Sequence, residues 1–173
     1  MISQKKSNVS WGNNIKTFPN IFYPENNSEI LKLLKNKNNF LFQGNMRSYG
    51  DVCLNKKNII STKKLNKIIN FDKKKGIIKT QTGVLLKDLL ELIIPNGWFI
   101  PTTPGTKYVT IGGMIANNIH GKNVKKNSIK YYIKELQLLK LDKKIITCSL
   151  GKNKKIFDLT VGGFGLTGLI INT

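Results

Sequence analysis

The chain is poor in several residue types. Its 173 residues contain one arginine, Arg47, and one histidine, His120, although Lys and Arg together number 29. It has two cysteines, Cys53 and Cys148, with no CxxC pair and no His/Cys ligand spacing. A zinc site and a disulfide framework are therefore not expected, and both thiols read as small buried apolar groups of a reducing compartment. No apolar run reaches the roughly 20 residues needed to span a bilayer. The opening segment Met1-Ile-Ser-Gln-Lys-Lys-Ser-Asn8 lacks the apolar core of a secretory signal. These absences predict a soluble, cytoplasmic protein with at most peripheral membrane contact through its lysines. Acidic residues number only 9, so the net charge is +20. That excess suggests a polyanion partner, but the lysines are scattered and no RNP, KH, zinc-finger or helix-turn-helix pattern accompanies them. Abundant Lys, Asn and Ile beside scarce Arg and Ala is also what an AT-rich coding sequence yields. A basic nucleic-acid-binding module is thus the reading from a different class, resting on charge alone, and no nucleic-acid partner is expected.

Hydrophobic residues make up 40% of the chain, enough to build a core. Residues 1–20 read as a polar, irregular arm anchored by Trp11 and Phe18, with a folded domain over 21–173. Ser28–Lys35 predicts a short amphipathic helix with Ser28 as N-cap. Asn39–Gln43, Ile59-Ile60, Ile68–Phe71 and Ile77–Thr82 predict strands, with Asp72-Lys-Lys-Lys-Gly76 as a turn. Leu85–Ile94 is the clearest helix, stopped by Pro95 and Gly97. Pro101–Thr106 must be loop. Glu135–Leu141 and Lys144–Cys148 flank Asp142-Lys143 and predict a β-hairpin. Leu169–Ile171 begins another strand. The pattern is α+β.

Three glycine-bearing segments sit at strand ends: Gly44-Asn-Met-Arg-Ser-Tyr-Gly-Asp51, Pro104–Gly113 running on to Asn117-Asn-Ile-His-Gly-Lys-Asn123, and Val161–Gly168. The first follows a strand, and successive backbone N–H groups there can form an anion nest. Arg47 adds a rigid fork of donors suited to phosphate or carboxylate. The loop matches neither the GxxxxGK[ST] nor the GxGxxG fingerprint. Gly112-Gly113 admits close approach of a ligand, with Ile111, Met114, Ile115 and Ala116 packed beneath. Together the three segments imply a long ligand lying against backbone at several places.

The order of these motifs resembles the N-terminal flavin-binding domain of FAD-linked oxidases of the vanillyl-alcohol oxidase (PCMH-type) superfamily. Within it, the chain is most similar to the oxidase-subunit group of decaprenylphosphoryl-β-D-ribose epimerases. The match runs from Trp11-Gly12 through the Arg-Ser-Tyr-Gly-Asp loop, Pro101…Pro104-Gly-Thr106, Val109–Gly113 and Asn118-Ile-His-Gly-Lys-Asn123 to Val161–Gly168. The resemblance implies an α+β PCMH-type fold in which two small α/β subdomains hold FAD between them. It implies that Gly44, Asn45, Met46, Arg47, Ser48, Tyr49, Gly50 and Asp51 cradle the diphosphate. Gly105, Thr110, Ile111, Gly112 and Gly113 would line the flavin and its linker. Asn117, Asn118 and His120 would lie near the ring and ribityl chain, and Ile170 near the adenine. Tyr49, His120 and Lys122 would border the substrate side as catalytic residues.

Two departures matter. Met46 stands where the group usually has glycine. Arg47 stands where covalent members attach flavin to histidine, which implies a non-covalent FAD. The implied activity is oxidation of a sugar hydroxyl to a ketone, on a polyprenyl-phosphate-linked pentose or, alternatively, an aldonolactone or alditol. Superfamily members continue into a substrate-binding cap domain. The expectation is therefore a flavin domain incomplete at its C-terminus, inactive alone, with a reductase/epimerase partner or a separately encoded cap.

Overall fold

The computed structural model describes residues 4–36, 39–121 and 128–173. Eleven strands, four α-helices and two short 3-10 turns make up this part. In chain order the first half carries β1 (Gln4–Lys5), β2 (Asn8–Val9), β3 (Lys16–Thr17), β4 (Asn20–Phe22), α1 (Asn27–Asn36), β5 (Phe40–Gln43) and β6 (Asn58–Ser61). The second half carries β7 (Ile68–Asp72), β8 (Ile77–Thr80), α2 (Leu86–Ile93), α3 (Ile111–Ala116), β9 (Leu136–Leu139), β10 (Ile145–Cys148), α4 (Lys154–Thr160) and β11 (Leu169–Asn172).

Two layers arise from two sheets. The first is ordered β1-β4-β6-β5, with β6 parallel to both β4 and β5. Helix α1 is the crossover that parallel pairing requires. Its start is a correction to the sequence reading. The cap is Asn26, whose Oδ1 accepts the Glu29 N–H at 3.0 Å, while Glu29 Oε2 accepts the Glu25 N–H at 3.1 Å. Asn26 and Glu29 thus stand in the spacing of a capping box, with Ser28 already inside the helix. Residues 4–20 also differ from expectation. Instead of an irregular arm, β2 and β3 pair as a ribbon and β1 adds an antiparallel edge to β4.

The second sheet is antiparallel, ordered β10-β9-β11. The Asp142-Lys143 hairpin forms as predicted, with Ile145 opposite Leu139. Backbone bonds from Thr82 to Ile171 (3.2 Å) and between Thr80 and Thr173 (2.7 and 3.0 Å) tie β11 to the β7–β8 hairpin. Strands β9 and β11 are apolar at nearly every position because the sheet is buried on both faces. Period-two alternation sends Leu138 and Ile170 into a core with α2, α3 and Phe157 of α4. It sends Leu139, Leu169 and Ile171 into a second core with Phe22, Ile60 and α1 residues Ile30 and Leu33. Phe22 and Phe40 meet edge to face at 5.8 Å beside that second core.

Helix α3 lies in a stretch read from sequence as a glycine-bearing loop. Thr110 caps it, its Oγ1 accepting the Gly113 N–H at 3.1 Å. Gly112 is buried because the helix presses against Thr82, two residues past the end of β8. A Cβ there would overlap Thr82 Oγ1 and come within 3.1 Å of the Thr82 carbonyl oxygen.

Candidate functional site

The two layers leave a cleft of about 620 Å³ between them. Strands β5 and β6 end at its edge, so it opens at the carboxyl ends of parallel strands, a usual ligand position in open sheets. One wall is the loop after β5, from Gly44 to Tyr49, with Val52 and Cys53. The other is the face of α3 bearing Gly112 and Gly113, together with Pro104–Thr106 and the stretch from Phe164 to Ile170. The walls touch at the cleft floor. Asn45 Nδ2 donates to the Tyr108 carbonyl at 2.8 Å, and a Cβ on Gly44 would overlap Thr110 Oγ1. Glycine at 44 is therefore required by close approach of the two layers.

The loop is rich in donors with nothing to bond. The N–H groups of Asn45, Met46, Arg47, Tyr49, Gly50 and Asp51 make no hydrogen bond within the described residues. Met46 sits at φ +54°, a left-handed conformation that side chains disfavour. Strain of that kind persists where surrounding structure fixes it. Trp11 does part of this fixing: its N–H donates to the Ser48 carbonyl at 3.2 Å, and its ring lies 4.4 Å from the Arg47 guanidinium carbon. The Arg47 Nε is buried and has no hydrogen-bond partner. Partial burial, then repulsion from Lys6 and Arg47, holds the Lys63 ammonium below its usual range. Open backbone donors plus an unpaired guanidinium nitrogen are what a phosphate group would satisfy.

The glycines of α3 contribute room rather than donors. The Gly112 N–H bonds the Thr82 carbonyl at 2.8 Å and the Gly113 N–H is taken by Thr110. Asn117 lines the cleft while its Nδ2 donates to the Gly113 carbonyl at 2.8 Å.

Of the residues expected at the site, the structure brings Gly44–Tyr49, Gly105, Thr110, Gly112, Gly113, Asn117 and Ile170 together in the cleft wall. Gly50, Asp51, Ile111, Asn118 and His120 stand outside that wall. Ile111 points into the core. Asn118, at φ +44°, accepts from Ser128 Oγ at 2.6 Å. His120 is exposed and bridges Ser128 through its backbone. Tyr49 is 73% exposed on the rim, and Lys122 lies outside the described residues.

Sequence reasoning missed Phe42, Gln43, Thr62, Thr82, Thr160 and Phe164, which also line the cleft. Gln43 was the legible one, being the polar end of an apolar strand. Its Nε2 donates to the Cys53 carbonyl (2.6 Å) and to Asn8 Oδ1 (3.2 Å), holding the loop's far end. Among the described residues no group of three His, Cys, Asp or Glu gathers to hold a metal, and no helix is long and apolar enough to cross a membrane.

The family model described as FAD binding domain matches residues 19–149. Decaprenylphosphoryl-beta-D-ribose oxidase of Mycolicibacterium smegmatis is 35% identical over 128 residues, covering 72% of this chain and 28% of that protein. D-lactate dehydrogenase of Anaerostipes hadrus is 32% identical over 120 residues, covering 65% and 25%. L-gulonolactone oxidase of Mus musculus is 24% identical over 167 residues, covering 94% and 38%. The chain thus spans well under half the length of these relatives. It belongs to the FAD-binding domain family of FAD-linked oxidoreductases, and the cofactor of that family is FAD.

Proposed function

We propose, from the premise that the chain is an FAD-binding domain of that family, that the cleft between the Gly44–Asp51 loop and α3 holds FAD without a covalent bond. The proposed reaction is oxidation of a sugar CH–OH group to a ketone. The carrying observation is the set of N–H groups of Asn45, Met46, Arg47 and Tyr49, unpaired among the described residues, beside the buried, unpartnered Arg47 Nε. Bound FAD would supply the two-electron chemistry, and the chain supplies binding, orientation and electrostatics. In this reading the loop and Arg47 take the diphosphate. Gly44, Gly112 and Gly113 provide the narrow floor along which the cofactor lies. Gly105, Thr110, Asn117 and Ile170 line its length, with Ile111, Asn118 and the backbone near His120 behind them. Tyr49 and His120, both exposed, would present their polar groups to substrate.

A polyprenyl-phosphate-linked pentose is the substrate class favoured by the 35% identity to the ribose oxidase. An aldonolactone is second, favoured by an alignment over 94% of the chain. On addition of FAD, the chain should quench flavin fluorescence at one equivalent. The pentose lipid, and not the lactone, should then perturb the bound flavin's visible spectrum. Failure to bind FAD would sink the whole reading; a response to lactone alone would move only the substrate. Because Tyr49, Phe164 and Leu166 are 73%, 49% and 81% exposed on and beside the rim, this chain by itself does not exclude water from the site. It is therefore expected to bind without turning over. Rapid bleaching by one sugar under single-turnover conditions would contradict that and identify the substrate.

Attachment can be tested separately. Arg47 offers no nucleophile. Cys53, the thiol in the cleft wall, is buried, and burial raises its pKa, so little reactive thiolate forms. Acid precipitation should leave all flavin in the supernatant. Fluorescence retained by the pellet would show a covalent bond.

A further inference from the structure

On the side of α3 facing away from the FAD cleft lies a second hollow, of about 740 Å³. Ile111, Met114 and Ile115 of α3 form part of its floor, and β8, β9 and the segment 98–101 its sides. The FAD reading gives it no role. Its rim is unusual in composition. Trp98 lies across the Lys73–Gly76 turn, its Nε1 donating to the Lys73 carbonyl at 2.8 Å. A Cβ on Gly76 would overlap the indole, so glycine there is what lets the ring lie flat on the turn. Phe99 is 61% exposed, and Tyr132 also stays open to solvent at the hollow's edge. Lys75, Lys79 and Lys134 line the same hollow, and Lys73 and Lys74 continue the turn. Against these five cations stand Glu135 in the lining and Asp72 under the turn. Asp72 already accepts the N–H groups of Lys74 and Lys75 and lies 3.9 Å from the Lys75 ammonium.

We infer that this aromatic-and-lysine rim docks the protein on an anionic lipid surface, with Trp98 and Phe99 entering the headgroup–acyl boundary and Lys73, Lys74, Lys75, Lys79 and Lys134 facing lipid phosphates. The chemistry is specific to that occupant. Trp and Tyr have an apolar body and a polar edge, which suits the water–lipid boundary. Lysine stems lie along apolar surface while their ammonium groups reach phosphate. A patch of lysines beside exposed apolar side chains binds anionic membranes by adding both contributions. An apolar partner protein would leave the ammonium groups of Lys73, Lys74, Lys79 and Lys134 without counter-charge; a nucleic acid would leave Phe99 and the apolar floor without a use.

The test must separate this face from the general effect of a +20 chain. Wild type, Phe99→Asp and Phe18→Asp should be sedimented with vesicles of phosphatidylcholine alone and with one-third phosphatidylglycerol. Phe18 is 56% exposed beside Lys16, so its variant matches the change in charge and aromatic loss at a different place. The expected result is binding to the anionic vesicles, weakened about tenfold by Phe99→Asp and little changed by Phe18→Asp. Both variants should keep wild-type FAD affinity, because neither residue lines the cleft. Equal weakening by both would show unspecific charge attraction and overturn the inference. So would absence of vesicle binding, or a dimer in gel filtration that Phe99→Asp dissociates, since the hollow would then be covered by a second copy. Trp98 can be read directly in a Trp11→Phe background, where brominated acyl chains should quench its fluorescence. Unquenched emission on bound vesicles would contradict insertion.

Discussion

Gly112→Ala is expected to destabilise the chain by about 3 kcal/mol, the upper range for overpacking a filled core. In a chain of this length that lowers the melting temperature by about 6–12 °C. The added methyl would overlap Thr82 Oγ1 and press on the Thr82 carbonyl oxygen, which is itself bonded to the Gly112 N–H at 2.8 Å. Relief by a rotamer change is blocked because Thr82 is buried at 3% exposure. Helix α3 must then lift off the segment just after β8, where the Thr82 N–H bonds the Ile171 carbonyl of β11 at 3.2 Å. Since α3 is one wall of the cleft, FAD affinity should fall with stability. The cause can be isolated with Thr82→Ala, which removes the colliding oxygen and costs about 1 kcal/mol alone. The double variant should be more stable than the sum of the two changes predicts by at least about 1 kcal/mol. Additive losses in thermal or urea melts would mean that Thr82 is not what makes glycine necessary.

The contact between Gly112 and Thr82 marks the limit of what the sequence could reveal. Gly112-Gly113 was readable as a place of close approach, but not what approaches. The β-hairpin around Asp142-Lys143, α2, and strands β5, β6 and β11 were legible from their apolar runs, whereas β1 and β4 of the first sheet, two and three residues long, were not. Helix α3 was not, since six residues with two glycines carry no helical pattern. What makes it a helix is tertiary: the Thr110 cap, and an apolar bed from α2, β9 and α4. Helix α4 was missed for a similar reason, its start at Asn153 being set by a left-handed turn (φ +51°) rather than a side-chain cap. In the cleft, the motif residues Gly44–Tyr49, Thr110 and Gly113 announced themselves through glycine, arginine and spacing. Thr62, Thr82 and Thr160 did not, because they are ordinary threonines at strand and helix ends that become cleft wall only when the two layers meet. Trp11, read as an anchor, proves to be the surface on which the only arginine lies.

That arginine should have the largest effect on ligand binding, and an effect of opposite sign on the empty protein. Replacing Arg47 with alanine should weaken FAD binding about 10- to 100-fold, the worth of one or two hydrogen bonds to a charged group. Lysine at the same position keeps the charge but loses the planar fork and its fit over the Trp11 ring, so it should recover only part of that loss. Without FAD the balance reverses. The Arg47 Nε is a buried donor with no partner, and leaving such a donor unsatisfied costs about 1–3 kcal/mol. Its cation also adds to the repulsion that lowers the Lys63 pKa. Removing it discards both penalties, offset by the lost contact with Trp11, about 1 kcal/mol for an exposed cation–π pair. Arg47→Ala should therefore melt at or slightly above the wild-type temperature without FAD, and clearly below it with FAD in excess, because ligand binding stabilises only the protein that binds it. Melts of both proteins with and without FAD, beside a flavin-fluorescence titration, read the two signs together. If Arg47→Ala lowers the apo melting temperature by as much as the holo, the arginine serves the fold rather than the cofactor. If FAD affinity is unchanged while the protein stays folded, the diphosphate lies elsewhere in the cleft.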